Sequence, residues 1–310
     1  MYKHKTLAVV IPAYNEEKLI GETLRSIPDY VDRIFLVDDC SADGTLEAAR
    51  RFISPRITLL RHERNLGVGA AIVTGYKSAL DAGCDLAAVM AGDGQMDAKY
   101  LPSLLDPLVE GKADYAKGNR LLSPKVREGM PKLRLIGNSI LTFLTKVSSG
   151  YWDIIDPQNG YAATTRQVLE TLPLDDLYPR YGYPNDLLVK LNAYGFRVMD
   201  VVMAPKYGSE KSKIRLWAYM PTVSLLLLRG FFWRLKEKYV LQAFHPLVFF
   251  YLMGLGLLPL GIISGFYMLY LRIHTGGITA ASVLIPTFLV ITGMQSMFFA
   301  MLFDMQATKK

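Results

Sequence analysis

The sequence has little of what disulfide scaffolds and zinc proteins need. It contains only two cysteines, Cys40 and Cys84, which are too few and too poorly spaced for a disulfide framework or a zinc site. Its four histidines are scattered without the spacing of metal ligands. We therefore expect both cysteines to be small core residues in a reducing compartment, and we assign no histidine a chemical role.

Two common nucleotide-binding motifs and an export signal are also absent. No G-x-G-x-x-G opens the first predicted helix, and no Walker lysine motif occurs. The basic N-terminus precedes an apolar run that ends at Pro12, and so short a run is typical of a first strand, not of a signal peptide. These absences argue against dinucleotide and P-loop chemistry. We expect the first two hundred residues to stay in the cytoplasm.

Long hydrophobic runs occur only near the C-terminus. Residues 246–271 and 279–303 are uncharged and apolar, and each exceeds the roughly 20 residues that cross a bilayer core. We predict two transmembrane helices. Because neither run carries a charged residue, an ion-coupled transporter is disfavoured. Small residues can pack one helix on another, within this chain or in a homo-oligomer, and the candidates are Gly254, Gly256 and Gly261.

Basic residues flank the two apolar runs in a chain of net charge +7. Four precede the first run: Arg229, Arg234, Lys236 and Lys238. Lys309 and Lys310 follow the second, whereas the loop between the runs carries only Arg272 and His274. The positive-inside rule then places the catalytic part and both termini in the cytoplasm. The same charge suits an anionic lipid surface or an anionic lipid substrate.

Strands and helices alternate from Leu7 to Leu105. The predicted strands are apolar runs at residues 7–11, 33–37 and 57–60, and a fourth that starts at Asp85. Asn15 is predicted to cap the first helix and Ser41 the second. Alternation of this kind predicts a mostly parallel sheet with helices on both faces, and such sheets bind ligands at the carboxyl ends of their strands.

Polar clusters follow each predicted strand, at residues 14–16, 38–39, 65–69 and 93–95. In the last cluster Asp93 and Gln95 offer oxygen donors two residues apart. Gly92 and Gly94 let the turn fold tightly enough to aim both at one hard cation, Mg²⁺ or Mn²⁺. Carboxylates for a base or ribose, combined with a metal site for a diphosphate, predict a nucleotide-sugar site.

Four ordered segments carry a family resemblance: residues 9–17 (VVIPAYNEE), 37–45 (VDDCSADGT), 65–70 (NLGVGA) and 91–95 (AGDGQ). They resemble the motifs of family 2, GT-A fold glycosyltransferases. With two C-terminal spans, the chain is most similar to the polyprenyl-phosphate sugar synthases, such as dolichyl-phosphate mannose synthase. One departure is that the family's metal motif usually reads Asp-x-Asp, and its first position here is Ala91. Asp93 and Gln95 would then do more of the ligation, with either weaker metal dependence or a metal held largely by the donor's own phosphates.

The resemblance implies a set of site residues. The nucleotide would contact Pro12, Tyr14, Glu16, Asp38, Asp39, Gly69 and Asp93. The acceptor phosphate would contact Arg120, Arg134 and Asn138, the last standing where the family often has serine, although solvated surface arginines are the alternative. Residues 156–161 (DPQNGY) resemble a family segment whose aspartate lies near the acceptor, which makes Asp156 catalytic or orienting. Ser212 and Lys213 would close over the diphosphate, or belong to a plain linker.

These observations predict three parts: a GT-A catalytic domain at 1–214, interfacial amphipathic helices at 215–243, and a two-helix transmembrane domain at 244–310. The predicted reaction is inverting transfer from a UDP- or GDP-linked sugar to the phosphate of a membrane polyprenyl or dolichyl phosphate. Nucleic acid is not an expected partner. Two alternatives remain. A processive polysaccharide synthase is disfavoured because no Gln-x-x-Arg-Trp motif occurs, and Ala91 favours a non-catalytic nucleotide-sugar binder.

Overall fold

The computed structural model describes residues 1–122, 132–204, 216–277 and 279–308. The chain divides into two compact units, Met1–Phe231 and Phe232–Lys310. The boundary falls inside one long helix. The predicted domain boundaries at 214/215 and 243/244 stay a prediction.

The first unit alternates strands with helices, as predicted. Its strands are β1 (Leu7–Ala13), β2 (Arg33–Asp38), β3 (Ile57–Arg61), β4 (Leu86–Val89), β5 (Tyr115–Asn119), β6 (Ala162–Thr165) and β7 (Val198–Val202). Its helices are α1 (Ile20–Ser26), α2 (Thr45–Arg50), α3 (Val68–Asp81), α4 (Leu101–Val109), α5 (Lys132–Ser149), α6 (Arg166–Thr171), α7 (Tyr183–Ala193) and the larger part of α8 (Leu216–Lys236). Pro221 lies inside α8 without breaking it.

The seven strands form one sheet in the order β3-β2-β1-β4-β6-β5-β7. Only β6 runs antiparallel to its neighbours, β4 and β5. The mostly parallel α/β prediction is therefore confirmed. Every residue of β1, β4 and β5 is buried, so polar loops can meet only where these strands end. Because β6 is reversed, the segment before it lies at the same edge as the segments after β4 and β5.

Alternate residues of β1 point to opposite faces of the sheet and enter two separate cores. Val9 and Ile11 belong to the core that includes α1 and α4, whereas Val10 belongs to the core that includes α3. Helix α3 approaches β1 closely at Gly75, where a Cβ atom would lie 2.2 Å from Val10 Cγ1. This close approach sets the distance at which α3 packs on β1.

The two predicted helix caps are wrong. Helix α1 begins at Ile20, and Asn15 instead adopts a left-handed conformation with φ of +57°. Its Oδ1 accepts the N–H of Ala42 at 2.9 Å, while Ser41 Oγ accepts the N–H of Asn15 at 2.9 Å. Helix α2 begins at Thr45 without a side-chain cap. The side chains expected to cap helices bind the neighbouring loop instead.

The second unit consists of the end of α8, a π-helical turn at Glu237–Gln242, and the helices α9 (Leu247–Thr275) and α10 (Ala280–Thr308). By length and composition α9 and α10 can each cross a membrane, with mean hydropathies of 2.1 and 1.7. They touch where a Cβ on Gly254 would lie 2.5 Å from Met297 Cγ, and one on Gly261 2.8 Å from the Val290 nitrogen. These two predicted glycine contacts thus join helices of the same chain.

Helix α10 runs past residue 303, where the uncharged run ends, and includes the charged residue Asp304. Asp304 is fully buried and forms two parallel bonds with Arg234, from Nη1 to Oδ1 and from Nη2 to Oδ2, both at 2.8 Å. The Tyr239 hydroxyl also donates to Asp304 Oδ1, at 2.6 Å. Asp304 is tolerated among apolar residues because Arg234 balances its charge.

This pair predicts a measurable loss of stability. Asp304→Asn leaves the Arg234 charge buried without compensation, and we expect it to lower the free energy of unfolding by about 3–5 kcal/mol. Replacing both residues with apolar ones, Arg234→Met with Asp304→Leu, should restore most of that loss. Thermal unfolding in detergent micelles, followed by circular dichroism, measures both.

The matched control is Arg229→Met, the same change at an exposed arginine of α8, which should alter stability by less than about 0.5 kcal/mol. If Asp304→Asn unfolds like the unmodified protein, the pair does not stabilise the second unit.

Candidate active site

The loops after β1 and β2 form one bonded cluster. Besides the Asn15 contacts, the N–H of Glu16 donates to Thr45 Oγ1 at 2.8 Å, and the Glu17 carboxylate accepts the N–H of Gly44 at 3.3 Å. The Pro12 carbonyl accepts the N–H of Gly92 at 3.1 Å, which ties the end of β1 to the Asp93 turn. Tyr14 projects from this cluster with 45% of its surface exposed. Three predicted nucleotide contacts, Pro12, Tyr14 and Glu16, therefore lie at the same sheet edge.

Asp39 organises the loop that follows β3. Its Oδ1 accepts the N–H of Leu66 at 2.9 Å and lies 2.7 Å from Nδ1 of His62, while Oδ2 accepts the N–H of Gly67 at 2.8 Å. On its other side, His62 Nε2 lies 2.9 Å from Thr74 Oγ1. His62 received no role from the sequence, and the structure shows that it supports a predicted nucleotide residue.

Asp38 and Gly69 lie deeper than the other predicted nucleotide contacts. Asp38 is fully buried, accepts the N–H of Ser41 at 3.2 Å, and has Oδ2 3.4 Å from Arg61 Nε. Gly69 stands in the first turn of α3, where a Cβ would lie only 2.4 Å from the carbonyl oxygen of Tyr178. The structure thus gives both residues a packing role, and their nucleotide contacts stay a prediction.

The Asp93 turn has the shape expected of a ligand-bearing loop. Gly94 is left-handed with φ of +67°, and Asp93 Oδ1 accepts the N–H of Gln95 at 3.0 Å. Asp93 is half-buried and Gln95 is exposed. Among the described residues no three His, Cys, Asp or Glu side chains converge as a metal cluster. The two side-chain oxygens fit part of the shell of Mg²⁺ or Mn²⁺ and leave the other positions to a diphosphate and water.

Arg120 and Asp156, both predicted from the sequence, meet at the same edge. Arg120 Nε donates to Oδ2 at 2.9 Å, Nη2 to Oδ1 at 3.2 Å, and the Arg120 backbone N–H to Oδ2 at 3.1 Å. The Asp156 side chain is 4% exposed, whereas that of Arg120 is 43% exposed. The buried Asp156 carboxylate therefore holds the partly exposed Arg120 guanidinium in place. A guanidinium held in this way is suited to binding an anionic ligand.

The charge state of Asp156 follows from its neighbours. Burial alone would raise the pKa of this carboxyl, but the hydrogen bonds and charge of Arg120, together with the charge of Lys117, lower the pKa below its usual value. Asp156 is therefore ionised at neutral pH and cannot act there as a proton donor.

A buried polar layer under this pair was not predicted. Lys117 on β5 is fully buried, and Asp200 on β7 stands opposite it in register. Asp200 Oδ2 accepts the Asn119 side-chain amide at 2.7 Å and the N–H of Ile155 at 2.8 Å. The signal available in the sequence is that Lys117 stands inside the segment that forms β5, where an apolar residue is expected.

The remaining predicted site residues are less defined. Asn138 is half-buried on α5. Arg134 stands four residues earlier on the same helix, which places both on one face, but its side chain lies outside the described residues. Ser212 and Lys213 also lie outside the described residues. Their assignments stay predictions.

The sequence comparison identifies the class of enzyme to which this α/β fold belongs. Residues 8–172 match the model of Glycosyl transferase family 2, and the chain belongs to this family. It is a glycosyltransferase.

Named relatives act on lipid phosphates. UDP-N-acetylglucosamine–dolichyl-phosphate N-acetylglucosaminyltransferase of Methanococcus voltae is 30% identical over 200 residues, covering 60% of this chain and 79% of the relative. Undecaprenyl-phosphate mannosyltransferase of Micrococcus luteus is 27% identical over 197 residues, covering 62% and 80%.

A solved structure supports the fold. Glucosyl-3-phosphoglycerate synthase from Mycobacterium tuberculosis, in complex with Mn²⁺, UDP and glucosyl-3-phosphoglycerate, superposes with a TM-score of 0.53 at 20% identity. The match covers 74% of this chain and 80% of that one. At this identity the likeness shows the GT-A-like fold alone.

The Arg120–Asp156 pair predicts a pH-dependent stability. Because the pKa of Asp156 is lower in the folded than in the unfolded protein, the unfolded state binds more protons between the two values. The pair's contribution is therefore complete above about pH 4, the unfolded value, and is lost as the pH falls toward the folded value. Asp156→Asn should cost about 1.5–3 kcal/mol at pH 7, measured by urea unfolding in detergent.

The difference between the unmodified protein and Asp156→Asn should shrink below pH 4. Asp175→Asn, at an 83% exposed carboxylate, is the control and should show little change at either pH. If the stability difference between the unmodified protein and Asp156→Asn stays constant down to pH 3, the Arg120–Asp156 ion pair is not its cause.

Proposed function

We propose that this glycosyltransferase moves a sugar from a nucleotide-sugar to the phosphate of a membrane polyprenyl or dolichyl phosphate, with inversion at the anomeric carbon. The observation that carries the proposal is a juxtaposition. The oxygen donors of the Asp93 turn follow β4, and the Arg120–Asp156 pair lies at the ends of β5 and β6, next to it in the sheet. The same chain carries two apolar helices, each long enough to cross a membrane. They would hold the enzyme at the membrane that contains its lipid acceptor.

The reaction follows from the charges. A phosphate monoester is largely ionised at neutral pH, so its oxygen can attack the anomeric carbon without a general base. One carbon–oxygen bond forms to the acceptor phosphate as the bond to the nucleoside diphosphate breaks. Arg120 would bind two oxygens of the acceptor phosphate, with Arg134 and Asn138 from α5. Asp156, already ionised, would orient Arg120 and not transfer a proton.

The donor-binding residues would hold the leaving diphosphate, with a cation to offset its repulsion from the acceptor phosphate. Pro12, Tyr14, Glu16, Asp38, Asp39 and Gly69 would hold the nucleoside. A divalent cation bound at Asp93 and Gln95 would neutralise charge on the leaving diphosphate, aided by Ser212 and Lys213. A UDP-linked donor is favoured over a GDP-linked one because the name of one relative specifies UDP-N-acetylglucosamine.

The proposed setting is an integral membrane protein with residues 1–214 and both termini in the cytoplasm, and residues 215–243 in the bilayer interface. The support is the distribution of basic residues around the two apolar helices. A homo-oligomer stays part of this proposal.

Transfer into lipid is the direct test. Membranes containing the protein, supplied with polyprenyl phosphate and a radiolabelled UDP-sugar, should place label in chloroform-extractable lipid. GDP-sugars should give less. Label in a water-soluble polymer would favour a polysaccharide synthase instead, and intact donor binding without transfer would favour a non-catalytic binder.

Asp93→Ala tests the proposed metal site. It should reduce turnover by about 100-fold or more, because a charge-stabilising contact to the leaving group is lost, while membrane binding and thermal stability stay near normal. Gln95→Ala should cost less, since an amide is the weaker ligand. Asp175→Ala, at an exposed aspartate, is the control. Full activity in Asp93→Ala would overturn the metal assignment.

A further inference from the structure

Lys117 is a fully buried lysine in the middle of the catalytic domain. Its Nζ lies 3.6 Å from Asp200 Oδ1, its in-register partner on β7. Nζ also donates to the main-chain carbonyl of Asp156 and, at 3.3 Å, to that of Gly118. All three neighbours are hydrogen-bond acceptors. Burial lowers the pKa of Lys117, while the charges of Asp200 and Asp156 oppose that shift, and the three surrounding oxygens suit the three N–H donors of the ammonium form.

Burying such an ion is costly, and an apolar side chain of similar length would fill the position without that cost. The ion pair instead fixes the backbone of the segment that contains Ile155 and Asp156. Asp200 accepts the N–H of Ile155, and Lys117 donates to the C=O of Asp156, so two backbone groups of consecutive residues are held by one buried pair. From this anchored backbone the Asp156 carboxylate reaches Arg120.

We propose that Lys117 and Asp200 are positioning residues for the acceptor phosphate. The buried pair fixes the backbone of Asp156, and Asp156 in turn fixes the direction in which the Arg120 guanidinium faces. The inference rests on the proposed function, because it takes Arg120 to be the phosphate ligand. It adds two residues, one on each of two neighbouring strands, that touch neither substrate and yet set the geometry of acceptor binding.

The charge balance of this cluster makes the proposal testable. The charged groups that face one another are Lys117 and Arg120 from β5 and its end, Asp156 from the segment before β6, and Asp200 from β7. Their formal charges sum to zero. Lys117→Met leaves an excess negative charge next to the acceptor site, whereas Asp200→Asn leaves an excess positive charge. Any group that must lose a proton there, the bound phosphate included, then titrates at a higher pH in the first variant and a lower pH in the second.

The experiment measures kcat and KM for both substrates, from pH 5 to pH 9, in Lys117→Met, Asp200→Asn and the double variant. Lys117→Met should lower kcat/KM for the lipid acceptor by about 10- to 100-fold, as expected for a misplaced ligand, with the donor KM unchanged. In Lys117→Met the acidic limb of the kcat–pH profile should move to higher pH by about half a unit, and in Asp200→Asn it should move to lower pH. In the double variant it should return near its original position.

Lys190→Met is the matched control. Lys190 on α7 is also buried, pairs with Asp186 at 2.6 Å and donates to the carbonyl of Asp176 at 2.7 Å, but it lies outside the proposed site. Its loss should lower thermal stability without changing the acceptor KM or the pH profile. The same pattern in Lys117→Met would show a purely structural role and overturn the inference.

Two further results separate the possible failures. If Lys117→Met does not fold, Asp200→Asn, which keeps the side-chain volume, decides alone: an unchanged acceptor KM and acidic limb overturn the proposal. If Arg120→Ala and Asp156→Asn both transfer sugar to lipid at the normal rate, the proposed function of this pair fails instead. Loss of transfer in those two variants, with normal kinetics in Lys117→Met, refutes only the positioning role.

Discussion

The central strands of the sheet are buried on both faces, and this constraint decides where chemistry can occur. A charged group cannot point outward from β1 or β4 into solvent, so the polar residues collect where the strands end. The reversal of β6 then adds the segment carrying Asp156 to the edge that already holds Arg120 and the Asp93 turn. The residues proposed to bind donor and acceptor meet at one edge because one buried sheet supplies both groups.

The loops at this edge are hydrogen-bonded to one another. Asn15, in the loop after β1, bonds Ser41 and Ala42 of the loop after β2, and Asp39 binds two backbone N–H groups of the loop after β3. Three successive loops therefore form a connected rim. Such a rim would preorganise the proposed nucleotide site, because less ordering remains to be done when the ligand binds.

The sequence was informative where the evidence is local. The apolar runs predicted the strands, and the four motifs predicted the family and the fold. The helix caps failed because the bonds of Asn15 and Ser41 reach a loop 26 or 27 residues away. Lys117 was missed for the same reason, since its partner Asp156 is 39 residues distant. The predicted span stopped before Asp304 because a charged residue normally ends an apolar span. The arginine that neutralises this carboxylate, Arg234, is 70 positions away in sequence.

The Arg234–Asp304 pair also constrains how the protein is made. The two residues are 70 positions apart, and Arg234 leaves the ribosome first. Until the last helix has been synthesised and inserted, its carboxylate partner does not exist, and the Arg234 charge must stay hydrated. The second unit therefore cannot bury Arg234 against its carboxylate until α10 has been made and packed.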